Sequence, residues 1–222
     1  DGQDREADVY LHHKNGQRVP VHVRTAAVTN QHGDIIGGVE IFSDNSGHID
    51  LMQRVRDLET RSLQDPLTGL YNRRHARRVL DKCLNALDRY DEPFGVLFLD
   101  IDCFKQINDT FGHETGDRVL KMISATLSGN LRTTDTLARW GGEEMLVVAT
   151  YLKRQDLTKL AEKLRTLVAH SSFKHDGQKV SVTVSVGATM ANREDAADAL
   201  IERADALMYN SKRKGRNCVS GD

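Results

Sequence analysis

The chain has 222 residues, 39% of them hydrophobic and 28% charged, an ordinary composition for a globular protein with one mid-sized domain and an appendage. Its 31 basic and 32 acidic residues give a formal net charge of −1, which excludes a chain-wide positive field for a nucleic-acid polymer, so phosphate binding has to be local. The three cysteines are scattered without metal-type spacing and no apolar run could span a bilayer, so we expect a cytoplasmic location without membrane contact in this segment.

Three strand-like runs open the chain, around residues 9–11, 19–23 and 35–42, and Asn15-Gly16 and His32-Gly33 separate them. Such pairs suit tight turns because they tolerate positive φ, so we expect an antiparallel meander, too small to be stable alone. Since the chain begins without Met inside an apparent strand, we expect an excised part of a longer protein, whose membrane tethering the sequence leaves open.

A helical pattern follows over residues 48–63, where Leu51, Val55 and Leu58 form one narrow apolar stripe. Two interpretations stay open: a linker helix that lies on its own domain, or a short parallel coiled coil that joins two copies of the chain. The segment is shorter than the three to four heptads that would identify a coiled coil from sequence.

From residue 65 onward helices and strands alternate. The apolar patterns predict strands at 94–101, on either side of Gly141-Gly142, and at 180–188, with helices between them and after the last strand. The order β-α-β-β-α-β predicts an α+β fold, a ferredoxin-like palm in which helices cover one face of a mainly antiparallel sheet.

Acidic residues stand at two places that this fold can bring together. Asp100 and Asp102 end the first strand of the palm, and Glu143 and Glu144 follow the glycines of the hairpin turn. Acids from both places would form an all-oxygen site suited to Mg²⁺ and substrate phosphates. The alternative, solvated turn acids, is the commoner explanation of any one such pair.

Four motifs in order resemble those of the GGDEF family of diguanylate cyclases. They are DPLTGLYNRR at 65–74, DIDCFKQINDTFGHETGD at 100–117, RWGGEEM at 139–145 and ADALMYNSKRKGRN at 204–217. The resemblance implies a Mg²⁺-dependent (or Mn²⁺-dependent) enzyme that condenses two GTP into cyclic di-GMP and releases two pyrophosphates.

The resemblance also implies roles for the acidic residues. Asp100 and Glu143 would ligate the metal through side chains and Ile101 through its backbone carbonyl, and Glu143 would accept the proton of the attacking 3′-hydroxyl. Glu144 is open between a second metal ligand and a charged turn residue. Asp102 is expected to be structural, since its neighbours already match the metal positions.

Further positions would bind the nucleotide. The resemblance places Lys105 against the charge that builds on the phosphates, with Gly141 and Gly142 where the backbone approaches the ligand. The triphosphate tail would be held by Lys212 and Arg216, and the nucleoside by Asn108, His113 and Asp117. A buried Asp117 can accept the two adjacent donors of guanine but would face adenine unpaired, which favours GTP.

Arg132 and Asp135 match the family's inhibitory site for cyclic di-GMP, although such a spacing is otherwise a common surface pair.

Each domain would hold one GTP, so the resemblance implies a homodimer, which the 48–63 helix would orient. Residues 1–46 resemble the C-terminal part of a PAS sensor domain, which gives a division into 1–46, 47–64 and 65–222. No cofactor is expected in residues 1–46.

Met145 departs from the family, which has phenylalanine there. We expect it to pack rather than to act chemically, but a looser turn would weaken activity. The alternative hypothesis is therefore a catalytically weak domain that acts as a GTP or cyclic di-GMP receptor.

Overall fold

The computed structural model describes residues 5–47 and 63–222. The chain divides between residues 62 and 63 into an N-terminal and a C-terminal unit. Within the two described ranges, every helix is too short or too polar to traverse a bilayer. The expected helix over residues 48–63 lies outside the described residues, apart from its last position.

The N-terminal unit holds three antiparallel strands in the order β1-β2-β3, namely β1 (Arg5–His12), β2 (Arg18–Thr29) and β3 (Ile35–Asp44). Gly16 and Gly33 have φ of 81° and 88°, the left-handed conformation expected of the two turns. The predicted meander is therefore confirmed. Val21 is its buried apolar residue, whereas Tyr10, Ile36 and Phe42 are exposed.

The C-terminal unit contains eight strands and five helices within residues 63–222. The strands are β4 (Tyr71–Asn72), β5 (Phe94–Ile101), β6 (Thr136–Arg139), β7 (Glu144–Thr150), β8 (Ser172–His175), β9 (Gln178–Ser181), β10 (Val184–Met190) and β11 (Val219–Gly221). The helices are α1 (Arg73–Tyr90), α2 (Phe104–Phe111), α3 (His113–Ser128), α4 (Arg154–His170) and α5 (Ala197–Arg213).

Six of these strands form one sheet in the order β11-β10-β5-β7-β6-β4, and β8 and β9 form a separate hairpin. The inner four strands are antiparallel to one another, while each of the two edge strands is parallel to the inner strand beside it. The inner order is that of the ferredoxin-like unit, so the predicted fold class is confirmed.

The expectation that helices cover one face of this sheet is wrong. Every residue of β5 is buried, because its side chains point alternately into two apolar clusters. Leu97 and Leu99 pack with α3 and α4 on one face, and Val96 and Phe98 pack with α1 and α5 on the other. A strand whose odd-numbered and even-numbered positions are both apolar therefore indicates helices on both faces of the sheet.

Two local predictions also need correction. The alternating run 180–188 is not one strand, because Val180 lies in β9, which pairs with β8, while Val184 onward belongs to β10. The interruption leaves the Thr183 carbonyl to accept the Asp102 N–H at 2.9 Å. Helix α2 was not predicted, since its eight residues give too short an apolar pattern.

Candidate active site

The end of β5 and the β6–β7 turn lie side by side. Asp100 is opposite Glu144 in the strand register, and the Ile101 N–H donates to the Glu143 carbonyl at 3.4 Å. The Trp140 N–H closes the turn on the Glu144 carbonyl at 2.8 Å. The two acidic segments that the sequence analysis separated by about 40 residues thus meet at one edge of the sheet.

Asp100 is buried, with 4% of its surface exposed, and within the described residues its Oδ1 has no hydrogen-bond partner of acceptable geometry. The Lys212 Nζ lies 2.8 Å from this oxygen as an ion-pair contact. Burial raises the pKa of Asp100, and Lys212 opposes that rise. The structure therefore places Lys212 on a carboxylate, where the sequence analysis expected it on the triphosphate.

Glu143 and Glu144 are half-buried beside Asp100. Burial, followed by repulsion from Asp100, raises the pKa of both carboxyls. Three acids that disfavour one another's charge at one place are stabilised by a bound cation.

These residues fit a hard divalent cation. The buried Asp100 carboxylate and the neighbouring Glu143 carboxylate supply oxygen donors, the type that Mg²⁺ prefers. No group of three or more His, Cys, Asp or Glu side chains in residues 5–47 and 63–222 is arranged to hold a metal by itself. The remaining ligands would have to come from the backbone, as predicted for Ile101, and from substrate phosphates.

Asp102, two residues further on, has the opposite surroundings. Its carboxylate accepts hydrogen bonds from Thr183 Oγ1 at 2.6 Å, Ser185 Oγ at 2.7 Å and the Asn217 N–H at 3.0 Å. Both oxygens are engaged by donors from Thr183 before β10, from Ser185 in β10 and from the C-terminal turn, which agrees with the structural role expected for this residue.

Arg139 braces the turn that carries Glu143, a role the sequence analysis did not assign. Its Nε and Nη2 donate to the Gly142 carbonyl at 3.1 and 2.7 Å, and its Nη1 donates to both Asp65 oxygens at 3.1 Å. Asp65 also accepts from the Thr68 N–H and hydroxyl. Although burial opposes it, the bonds from Thr68 and Arg139 hold the pKa of Asp65 below its usual value.

Gly141 has a steric role in the same turn. A Cβ there would lie 2.6 Å from Glu144 Oε2, so the missing side chain gives this carboxylate its place. The sequence gives one hint of the contact between Arg139 and Asp65, since each residue opens one of the four family motifs. Their separation of 74 residues hides the contact itself.

The predicted nucleoside residues lie around the junction of α2 and α3. Asn108 is half-buried, whereas His113 and Asp117 are exposed, as is Lys105 on the first turn of α2. The assumption of a buried Asp117 is therefore wrong for the protein alone. Discrimination by an unpaired carboxylate requires the nucleotide itself to cover Asp117.

The C-terminal turn presents the second predicted phosphate residue. Arg216 is exposed with φ of 65°, and Asn217 follows it with φ of 46°. Asn217 Oδ1 accepts from Arg165 Nη1 at 2.7 Å, in addition to the bond from its N–H to Asp102. Two anchors therefore fix the turn that carries Arg216.

Arg132 and Asp135 lie away from this edge of the sheet and line a cleft of about 460 Å³. Asp135 accepts from the Arg132 N–H at 3.1 Å and the Thr150 N–H at 3.3 Å, so its carboxylate holds backbone rather than the Arg132 side chain. Lys159 and Lys163 on α4 line the same cleft. Neither lysine can be singled out from the sequence, because lysines on a solvated helix face carry no distinguishing pattern.

A family model, diguanylate cyclase GGDEF domain, matches residues 62–218. The response regulator PleD of Caulobacter vibrioides is 39% identical over 163 residues, which are 72% of this chain and 36% of that protein. Diguanylate cyclase DosC of Escherichia coli is 36% identical over 156 residues, 70% of this chain and 34% of that protein. The chain thus spans about a third of the length of these curated relatives.

Solved structures show the same similarity. The coiled coil and GGDEF domain of DgcB from Caulobacter crescentus, in complex with c-di-GMP, has a TM-score of 0.75 at 27% identity, over 80% of this chain and 95% of that one. Diguanylate cyclase SiaD from Pseudomonas aeruginosa, in complex with its activator SiaC, has a TM-score of 0.72 at 35% identity, over 80% and 69%. Together with the paired acids at the sheet edge, these matches show that the chain belongs to the GGDEF family of diguanylate cyclase domains.

Proposed function

We propose that residues 65–222 condense two GTP into cyclic di-GMP in a reaction that depends on Mg²⁺ or Mn²⁺. The observation that carries this proposal is the meeting of Asp100 with Glu143 and Glu144, three carboxylates beside the ammonium of Lys212. A site with this charge pattern suits a metal-bound triphosphate. Bound metal would lower the pKa of the attacking hydroxyl and stabilise the charge on the phosphates.

The chain's own residues would position the reactants and take the proton. The 3′-oxygen of one GTP forms a bond to the α-phosphorus of the other, the bond from that phosphorus to the bridging oxygen breaks, and pyrophosphate leaves. Glu143 would accept the hydroxyl proton. It is half-buried beside Asp100 and Glu144, and its raised pKa makes it a stronger base. Lys105 and Arg216, both exposed at the same end of the sheet as Asp102, would neutralise phosphate charge.

The nucleoside would lie against the α2–α3 junction. Asn108 and Asp117 would bind the guanine base and His113 would complete the pocket, while Gly141 and Gly142 would let the protein backbone approach the ligand. Support comes from the half-buried Asn108 and from the exposed Asp117, which leaves its carboxylate accessible to the base.

Two copies would have to face each other, because one domain holds one GTP and so provides half of the reaction. We propose that the helix over residues 48–63 orients the two domains as a homodimer. We propose further that residues 1–46 are the C-terminal part of a PAS sensor domain, for which the support is an antiparallel meander with exposed apolar residues.

Product inhibition is proposed at the cleft of Arg132 and Asp135. The lining of this cleft has three cations, Arg132, Lys159 and Lys163, against the two carboxylates of Asp135 and Asp156. The cations could pair with the phosphates of cyclic di-GMP. Arg132→Ala should weaken cyclic di-GMP binding by about tenfold or more and relieve inhibition, with GTP binding unchanged. Equal cyclic di-GMP affinity in both proteins would contradict the assignment.

The reaction is tested by incubating the chain with GTP and Mg²⁺ over a range of protein concentrations, beside Glu143→Gln. We expect cyclic di-GMP and pyrophosphate from the wild type, with a specific activity that rises with protein concentration, and neither product from the variant. Nucleotide binding without turnover, unchanged by Glu143→Gln, would instead favour the receptor hypothesis. Met145 gives that hypothesis little support, because its side chain is buried in the core opposite Leu99.

A further inference from the structure

Gly116 is a buried glycine in the first turn of α3, where an ordinary helix former would be expected. It has no left-handed φ that would require glycine, in contrast to Gly112 at the preceding junction. A Cβ at this position would lie 2.0 Å from Asn108 Oδ1, 3.0 Å from Asn108 Cγ and 3.2 Å from Phe104 Cζ. The glycine therefore gives space to the Asn108 side chain.

Both the backbone and the side chain of Asn108 are placed by neighbouring residues. The backbone carbonyl accepts the Gly112 N–H at 2.9 Å, which closes the last turn of α2. The side-chain amide lies against the backbone of Gly116. Either end of the amide group meets the same obstruction if a methyl group is added. The next residue, Asp117, is the other proposed partner of the base.

We propose that Gly116 is a positioning residue for base recognition, which seats the Asn108 amide beside Asp117 at the place where guanine binds. The inference rests on the proposed function, since it concerns the same nucleoside site. It identifies Gly116 as a determinant of nucleotide affinity that makes no contact with the nucleotide through a side chain.

The inference separates recognition from stability. In Gly116→Ala the fold can absorb the methyl group, because the two nearest atoms belong to the far end of the Asn108 side chain and Phe104 Cζ, at 3.2 Å, has to shift by only a few tenths of an ångström. Alanine is also the better helix former. The Asn108 side-chain amide, however, has to move from its position beside Gly116. Base binding should fall while the melting temperature is kept.

The experiment is a double-mutant cycle with Gly116→Ala, Asn108→Ala and the double variant. The ligand is the guanosine triphosphate analogue with a methylene bridge between the α- and β-phosphorus atoms, titrated with Mg²⁺ by calorimetry. We expect each single variant to bind about tenfold or more weakly and the double variant to bind no more weakly than Asn108→Ala. Inorganic tripolyphosphate should bind all four proteins equally, because it makes no contact with the base pocket.

Wild-type affinity in Gly116→Ala would overturn the inference, as would a second full loss when Gly116→Ala is added to Asn108→Ala. Weaker tripolyphosphate binding would also contradict it, because general distortion would then explain the result. If the wild-type chain binds neither the analogue nor tripolyphosphate, the proposed function fails and this inference fails with it. If the wild type binds and only the cycle fails, the proposed function stands.

Discussion

Two buried aspartates at the end of one strand differ in how many donors surround them. Asp100 keeps an oxygen without a hydrogen bond and has Lys212 as its ion-pair contact. Asp102 accepts three hydrogen bonds from Thr183, Ser185 and Asn217. Both are almost inaccessible, at 4% and 6% exposure, so burial alone does not separate a chemical role from a structural one.

The difference shows what each carboxylate can still do. Asp102 has its charge satisfied by fixed donors and therefore ties β10 and the C-terminal turn to β5. Asp100 has the Lys212 ammonium as its ion-pair contact instead of a set of fixed donors, and its neighbours Glu143 and Glu144 add negative charge beside it. One ammonium beside three carboxylates leaves negative charge that a bound divalent cation would stabilise.

The largest expected effect is the loss of turnover in Asp100→Asn. The variant removes one charged oxygen donor from the proposed metal site, and we expect cyclic di-GMP formation to fall by about 10²–10³-fold. The free energy of unfolding without metal should change by less than about 1 kcal/mol, because relief of repulsion offsets the lost Lys212 contact. Turnover within threefold of the wild type would contradict the assignment.

Asp102→Asn should act mainly on stability. The amide nitrogen would face donors instead of accepting from them, and we expect a loss of about 2–3 kcal/mol in the free energy of unfolding by urea. Thr183→Val is the matched control, since it removes one of the donors and should lose about 1 kcal/mol. Unchanged stability in Asp102→Asn would show that the two aspartates do not differ as their contacts indicate.

Much of the fold was predictable because its signals are local. The strand Phe94–Ile101 is one apolar run, and the bounds of the β6–β7 turn follow from Gly141-Gly142. Two elements were not predictable. Helix α2 has only eight residues, too few for a clear apolar pattern, and the break at Thr183 depends on its tertiary contact with Asp102.

The site was predictable in composition but not in its connections. The two acidic segments could be placed at one sheet edge from the strand order alone. The pairing of Lys212 with Asp100, the brace from Arg139 to Asp65 and the space at Gly116 required coordinates. Each of these contacts joins residues on different elements, and a single sequence carries no signal for such pairs.

Arg139→Lys should have an intermediate effect on turnover. Lysine cannot donate at once to the Gly142 carbonyl and to Asp65 as the guanidinium does, so the turn that carries Glu143 should loosen. We expect a decrease of about tenfold in turnover with little change in analogue binding. Asp65→Asn, which keeps the shape of the partner but removes its charge, should reproduce part of the loss. A fall in stability with full activity would contradict a positioning role.

The smallest effect concerns pH and metal together. Burial, with repulsion from nearby acids (Asp102 and Asp205 for Asp100, and Asp100 for Glu143), raises the pKa of Asp100 and Glu143 above the ordinary values of 3.8 and 4.5. The folded metal-free protein therefore holds protons that the unfolded chain releases. Its stability should therefore fall as pH rises from about 4 through the raised values. Asp65 acts in the opposite sense, because its lowered pKa removes stability as pH falls.

The pH effect can be isolated by comparing the melting temperatures of the wild type and Glu143→Gln across this range, with EDTA and with Mg²⁺. Without metal, the wild type should lose a few degrees relative to the variant as pH rises. With Mg²⁺ the loss should shrink or reverse, because the cation binds the deprotonated acids and its affinity increases with pH. Parallel curves for the two proteins under both conditions would show that these carboxyls are not coupled, and the contrast between Asp100 and Asp102 would then reduce to hydrogen bonding alone.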